Sequence, residues 1–139
     1  SAEKNVTFNW DQALSFEGET APYIQYAYAR VASILRKYEG DVPKKADLDL
    51  LNSEEETALI TKIANFPDIA EKAASELRPN TVANYAYDLA KLFNEFYHQH
   101  QILKEEDNVK NARLQLIVAV QQTLKNALAL LGIDVLEKM

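Results

Sequence analysis

Residues 18–30 read Gly18-Glu19-Thr20-Ala21-Pro22-Tyr23-Ile24-Gln25-Tyr26-Ala27-Tyr28-Ala29-Arg30. A turn residue leads into a proline placed for the first turn of a helix, where its missing N–H leaves no bond unmade. Tyr23, Tyr26 and Arg30 then follow at spacings of three and four, and at ~100° per residue they share one side of a helix. Lys37, seven residues on, falls on that side too. Ile24, Ala27, Val31, Ile34, Leu35 and Tyr38 make a separate apolar stripe. The spacing predicts a helix over 22–38, ended by Gly40 and Pro43, with one face for packing and another of aromatic rings and cations.

Residues 20–38 hold Arg30, Arg36 and Lys37 and no carboxylate, within a chain of net charge −6. Phenol rings beside guanidinium groups suit unpaired nucleobases, the rings stacking on base faces and arginine taking phosphates or base edges. The same spacing also fits an ordinary amphipathic helix whose tyrosines are partly buried. An acidic body repels phosphate at long range. RNA binding would therefore rest on a local basic patch and on stacking, with further phosphate contacts made from outside this chain.

The 139 residues are enough for one domain with a hydrophobic core, and 47% hydrophobic content supports a folded chain rather than disorder. Three glycines and four prolines, amid plentiful alanine, leucine, lysine and glutamate, favour helix. The absence of cysteine excludes disulfides and thiolate metal sites. Apolar runs such as 116–120 and 127–131 fall far short of the ~20 residues of a membrane span.

The pattern predicts a leading segment, 1–21, with Phe8 and Trp10 alternating with polar residues, one helical turn over 10–14, and a turn at Glu17-Gly18-Glu19. Trp10 is expected to be a packing anchor. A polar loop, 39–52, precedes Ser53-Glu54-Glu55-Glu56, whose Ser-x-x-Glu form is a capping box opening a helix to about residue 65. A short helix begins at Pro67 and runs through Leu77. A longer one, about 81–100, carries Val82, Ala86, Leu89, Phe93 and Phe96. After a charged linker, a last helix, about 109–131, is apolar over a wide arc and is capped by Gly132. The expected architecture is an all-α bundle of four to five main helices, 22–139, in one domain.

No catalytic constellation is present in the pattern. His98 and His100 are two apart and point to different sides of a helix, so they do not pair on one metal; both are expected to face solvent. The three carboxylates at 54–56 complement a helix dipole better than they bind a cation. No glycine-rich loop exists to cradle phosphates.

Pro22-Tyr23-Ile24-Gln25-Tyr26-Ala27, Ala29-Arg30 and Ser33-Ile34-Leu35-Arg36-Lys37 resemble the helix that opens the C-terminal anticodon-binding domain of class I arginyl-tRNA synthetases. Asn84-Tyr85-Ala86-Tyr87-Asp88-Leu89-Ala90 with Phe93-Asn94-Glu95-Phe96-Tyr97 is similar to that family's central helix. Ala112-Arg113-Leu114, Leu124-Lys125-Asn126 and Leu130-Leu131-Gly132-Ile133 are similar to its last helix. Glu137-Lys138-Met139 resembles its usual Glu-Arg-Met ending, and the likeness is collinear over about 8–139. The chain departs from the family at Ala21 and Ala127, where glycine is common, at Tyr28, where histidine is common, and at Leu136, where proline is usual.

The resemblance implies recognition of the anticodon loop of tRNA(Arg), whose central base is a cytosine shared among arginine anticodons. It implies Tyr26 as a base-stacking or base-edge partner supported by Tyr23. Arg30 and Arg36 would supply charged hydrogen bonds, Tyr97 another loop contact, and Met139 a soft wall of the pocket. Arg113, Asn84 and Asn126 are expected to be internal hydrogen-bonders. Ser1-Ala2 in place of an initiator methionine leads us to expect a piece cut from a longer polypeptide, with the catalytic domain before it. ATP with Mg2+ would then belong to that domain, with no cofactor, metal, membrane or DNA bound here, and the protein would be cytoplasmic. Two alternatives remain at this stage: the anticodon domain of a cysteinyl- or glycyl-type synthetase, against which Pro-Tyr-Ile-Gln-Tyr argues, and a helical protein-interaction module.

Overall fold

The computed structural model describes residues 9–13 and 20–139, and among them it is all-helical. A single turn, α1 (Trp10–Ala13), precedes five main helices: α2 (Ala21–Tyr38), α3 (Glu54–Ala64), α4 (Phe66–Ser75), α5 (Pro79–Gln99) and α6 (Asp107–Leu130). A 3-10 turn at Leu48–Leu50 lies within the expected 39–52 loop and packs on α6, and Leu51 behind it is buried. The expected Phe8 alternation and the Glu17-Gly18-Glu19 turn lie outside the described residues.

Helix α5 is the axis of the bundle and packs against α2, α3, α4 and α6, while α6 also covers α2 and α3. Leu59, Leu89, Phe93, Phe96, Leu114, Ile117, Leu124 and Leu128 are sealed from solvent between them. Each such side chain stabilises the fold by about 1.5–3 kcal/mol relative to exposure.

Local chemistry sets the helix ends. Thr20 caps α2, its hydroxyl accepting the Tyr23 N–H at 3.3 Å, with Pro22 in the first turn. At the other end Glu39, not Gly40, takes the left-handed conformation (φ 54°). A Cβ at Gly40 would sit 3.1 Å from the Tyr38 ring, so a larger residue there would displace that ring by a few tenths of an ångström. The capping box at Ser53 and Glu56 is complete in both directions. Helix α4 stops at Ser75 and does not run through Leu77 as expected; Leu77 is left-handed (φ 53°) and 87% exposed.

The first turn of α3 does more than complement a dipole. Glu56 is buried, and its Oε1 accepts from Arg113 Nε at 2.7 Å. Arg113 also donates to the Gln101 carbonyl at 2.9 Å and to Glu105 at 3.0 Å, and its last amine reaches His100 Nδ1 at 3.2 Å. Arginine only donates, so Nδ1 accepts and His100 presents Nε2–H to Glu55 at 3.0 Å. His100 is therefore an internal residue, contrary to expectation; α5 ends at Gln99 and the extended backbone at His100 turns the ring inward. His98 does face solvent.

Three further expectations are corrected. Trp10, the expected packing anchor, is 70% exposed. Asn84 lies on the exposed side of α5, and Asn126 is exposed, accepting only a surface bond from Gln122 at 2.7 Å.

Two stability predictions follow from these ends. Leu77→Gly should raise unfolding free energy by about 0.5–1 kcal/mol in urea titration, since a left-handed side chain costs ~1–2 kcal/mol and glycine gives part of that back as unfolded-chain entropy. A hydrogen bond from His100 holds the Glu55 carboxyl below its usual range. Burial pushes Glu56 up, but the bonds from Arg113 and Ser53 more than reverse it and leave it lowered. Folded values below the unfolded ones mean stability is full above about pH 4.3 and is lost as pH falls through the folded values. Arg113→Met should cost about 3–5 kcal/mol at pH 7, by stranding Glu56, and should flatten that acid limb in a pH series of urea titrations.

Candidate nucleic-acid interface

Along α5 the buried pair Phe93 and Phe96 fixes the direction of the residues beside them. Asn94 and Tyr97, three apart, emerge together toward α2. Asn94 Oδ1 accepts from Arg30 at 2.7 Å, and its Nδ2 donates to the Tyr23 hydroxyl at 2.9 Å. One amide thus orients two residues of α2. The Arg30 guanidinium carbon lies 4.6 Å from the Tyr26 ring centre and 5.0 Å from that of Tyr97, and its second amine donates to the Tyr26 hydroxyl at 3.1 Å. Each cation–ring contact at an exposed site is worth about 0.5–1 kcal/mol.

The third wall is the segment after α6. Gly132 (φ 72°) reverses the chain, with Ile133 N–H returning to the Leu128 carbonyl at 3.0 Å. The final residues then run beside α2: Gln25 donates to the Asp134 carbonyl at 2.9 Å, and Arg36 to the Glu137 carbonyl at 3.0 Å. The result is an open groove of about 460 Å³ lined by Tyr26, Ala29, Arg30, Ser33, Arg36, Tyr97, Lys138 and Met139.

Five of the six residues expected at the site, Tyr26, Arg30, Arg36, Tyr97 and Met139, therefore line one groove. Tyr26 and Tyr97 are 39% and 38% exposed and Met139 is 50% exposed, so two rings and a thioether are open to a ligand. Tyr23 is not in the lining: it is half-buried, 5.3 Å from the Tyr87 ring, and its hydroxyl is taken by Asn94. It supports the site from behind. Arg36 lines the groove and Lys37 does not, because the segment after α6 runs on the Arg36 side of α2.

Sequence reasoning missed Lys138, Ser33 and the orienting role of Asn94. A polar residue three before Tyr97, on the same side of α5, was the available signal for Asn94. Ser33 had one as well, seven residues after Tyr26 on the same side. Lys138 had none beyond its charge.

A larger hollow of about 520 Å³ runs along α3, lined by residues including Ser53, Thr57, Thr61, Lys62 and Leu92. It has no aromatic ring in its lining, and Lys62 is paired with Asp88 at 2.8 Å. It cannot stack a base. No cluster of residues able to hold a metal, and no helix long and apolar enough to cross a membrane, occurs among the described residues.

The helical bundle is that of a known family. Residues 24–139 match the family model of the DALR anticodon binding domain, and the chain belongs to that family. Among curated proteins it is similar to the arginine–tRNA ligases of Methanoregula boonei (48% identity over the whole chain) and Pyrococcus furiosus (44%). It spans 24% and 23% of the length of these relatives. Among solved structures it is similar to the arginyl-tRNA synthetase of Thermus thermophilus, with a TM-score of 0.89 and 37% identity over 98% of this chain and 24% of that one. The Plasmodium falciparum arginyl-tRNA synthetase gives 0.83 and 31% over 95% of this chain and 23% of that one. Neither the protein-interaction module nor another synthetase's anticodon domain is favoured by these likenesses.

Removing the Asn94 amide tests the geometry directly. Asn94→Ala should destabilise the domain by about 1–2 kcal/mol in urea titration, for two part-buried hydrogen bonds lost. Tyr26→Ala, at a half-open ring, should cost markedly less.

Proposed function

We propose that this chain is the part of an arginine–tRNA ligase that grips the anticodon loop of tRNA(Arg). The observation that carries the reading is a guanidinium set against two half-exposed phenol rings in a groove that also holds Arg36 and Lys138. Tyr26 and Tyr97 offer faces on which splayed bases stack, and base–ring stacking is tolerant of sequence. Arg30 and Arg36 add directional donors for phosphates or base edges, and Met139 adds a polarisable wall. The groove concentrates three cations (Arg30, Arg36, Lys138) in a chain of net charge −6, so attraction is local.

Family membership and the arginine–tRNA ligase relatives support the choice of tRNA(Arg). In this reading the domain contributes to ATP-dependent aminoacylation by docking the tRNA, so that its acceptor end reaches a catalytic domain elsewhere in a longer, cytoplasmic protein. That domain would use ATP with Mg2+; the groove itself uses neither.

Tyr26→Ala or Arg30→Ala should weaken binding of an arginine anticodon hairpin by about 1–3 kcal/mol. Aminoacylation by the full-length ligase carrying both changes should lose transition-state stabilisation to match, and an unchanged rate would reject the site. Salt gives a second check. Affinity should fall with a log–log slope of roughly −2, about −0.7 for each of three cations, and a salt-indifferent complex would contradict phosphate contact.

A further inference from the structure

The resting conformation of the segment after α6 is set by a stripe of α2 that borders the groove and shares Ala29 and Arg36 with its lining. Along this stripe Gln25, Tyr28 and Arg36 each bond to residues 134–137, and Ala29 and Ala32 between them are buried. Small side chains at those two positions leave room for a chain to lie close. Tyr28 is the unusual member: a buried phenol whose hydroxyl donates to Glu137 Oε1 at 3.2 Å. Burial first, and then the charge and hydrogen bond of Glu137, push this phenol above its usual value, so it remains a donor. At the near end, Ile133 and Val135 pack against the core while 134 and 136 are exposed, the alternation of an extended strand.

We propose that Tyr28 and Gln25 are positioning residues: they latch residues 134–137 onto α2 and thereby hold Lys138 and Met139 as the wall of the groove. The proposal rests on the reading of the groove as an RNA site, and neither residue touches the RNA. Without the latch, two residues that line the groove sit beyond a segment anchored by Ile133, Val135 and the exposed contact of Arg36 with Glu137. Ordering that end would then fall to the RNA, at an entropic cost that lowers affinity.

Met139 is the only methionine in the sequence, so one 13C-methyl signal reports the wall without any RNA present. In the Tyr28→Phe/Gln25→Ala double variant, the Met139 methyl order parameter should fall sharply. Affinity for the arginine anticodon hairpin should drop about three- to tenfold, as the cost of ordering Lys138 and Met139 passes to the RNA. Tyr28→Phe and Glu137→Ala should be non-additive in both readouts, as expected for a single shared contact. A merely structural Tyr28 would lower the melting temperature and leave the methyl rigid, and that outcome overturns the latch. A loosened methyl with undiminished RNA affinity overturns it too. If the unaltered chain failed to bind the hairpin, the groove reading would fall, while the methyl comparison would still decide the latch.

Discussion

Burial of Phe93 and Phe96 in α5 is the constraint on which the candidate site depends. Both rings are sealed in the core, and a helix allows its neighbouring positions no independent choice of direction. Asn94 and Tyr97 are thereby committed to the α2 side. Asn94 then sets Arg30 and Tyr23, and Arg30 lies against Tyr26 and Tyr97. A chain of contacts thus runs from apolar packing to a fixed guanidinium, with only one amide between them. Cores are close-packed and resist small displacements. The groove inherits that rigidity on its α5 side, whereas its other wall is a terminal segment held by a few hydrogen bonds.

The two walls explain how an acidic domain can present a site for a polyanion. Net charge governs long-range encounter, but contact energy comes from groups within a few ångströms, screened over about 8–10 Å at ordinary ionic strength. Most carboxylates of the described residues lie on other elements, and several are committed to internal pairs, as Glu55 and Glu56 are to His100 and Arg113. Glu137, which accepts from Tyr28, is the carboxylate beside the groove, and its backbone carbonyl also accepts from Arg36.

Much of this was legible in the residues. The two faces of α2, the capping box of α3, the apolar repeat of α5 and the wide arc of α6 are periodic, and periodicity survives into the fold because each helix buries one continuous stripe. The collinear family resemblance pointed to the groove residues. What failed was local and aperiodic. His100 was assigned a helical direction although the helix stops one residue earlier. Leu77 fits an apolar repeat but falls just past the end of α4, where backbone geometry overrides hydrophobicity. Trp10, expected as an anchor, sits on a helix of one turn and is largely exposed. Lys37 shares the aromatic face by spacing, yet Arg36 lines the groove and Lys37 does not. An irregular segment with no helical period of its own decides which side of α2 becomes a groove. Such placements depend on contacts between residues about a hundred positions apart, which spacing along one element does not encode.

In the proposed function, Tyr26, Arg30 and Tyr97 form the surface that receives unpaired bases. The most direct measurement is an NMR titration of the chain with an arginine anticodon hairpin, observing tyrosine ring signals, the arginine Nε–H groups and the Met139 methyl. The largest shifts should fall on Tyr26, Tyr97, Arg30 and Met139, with ring-current displacements that betray stacked bases. Saturable shifts confined to the α3 hollow around Thr57 and Lys62, with the groove signals unmoved, would contradict the account.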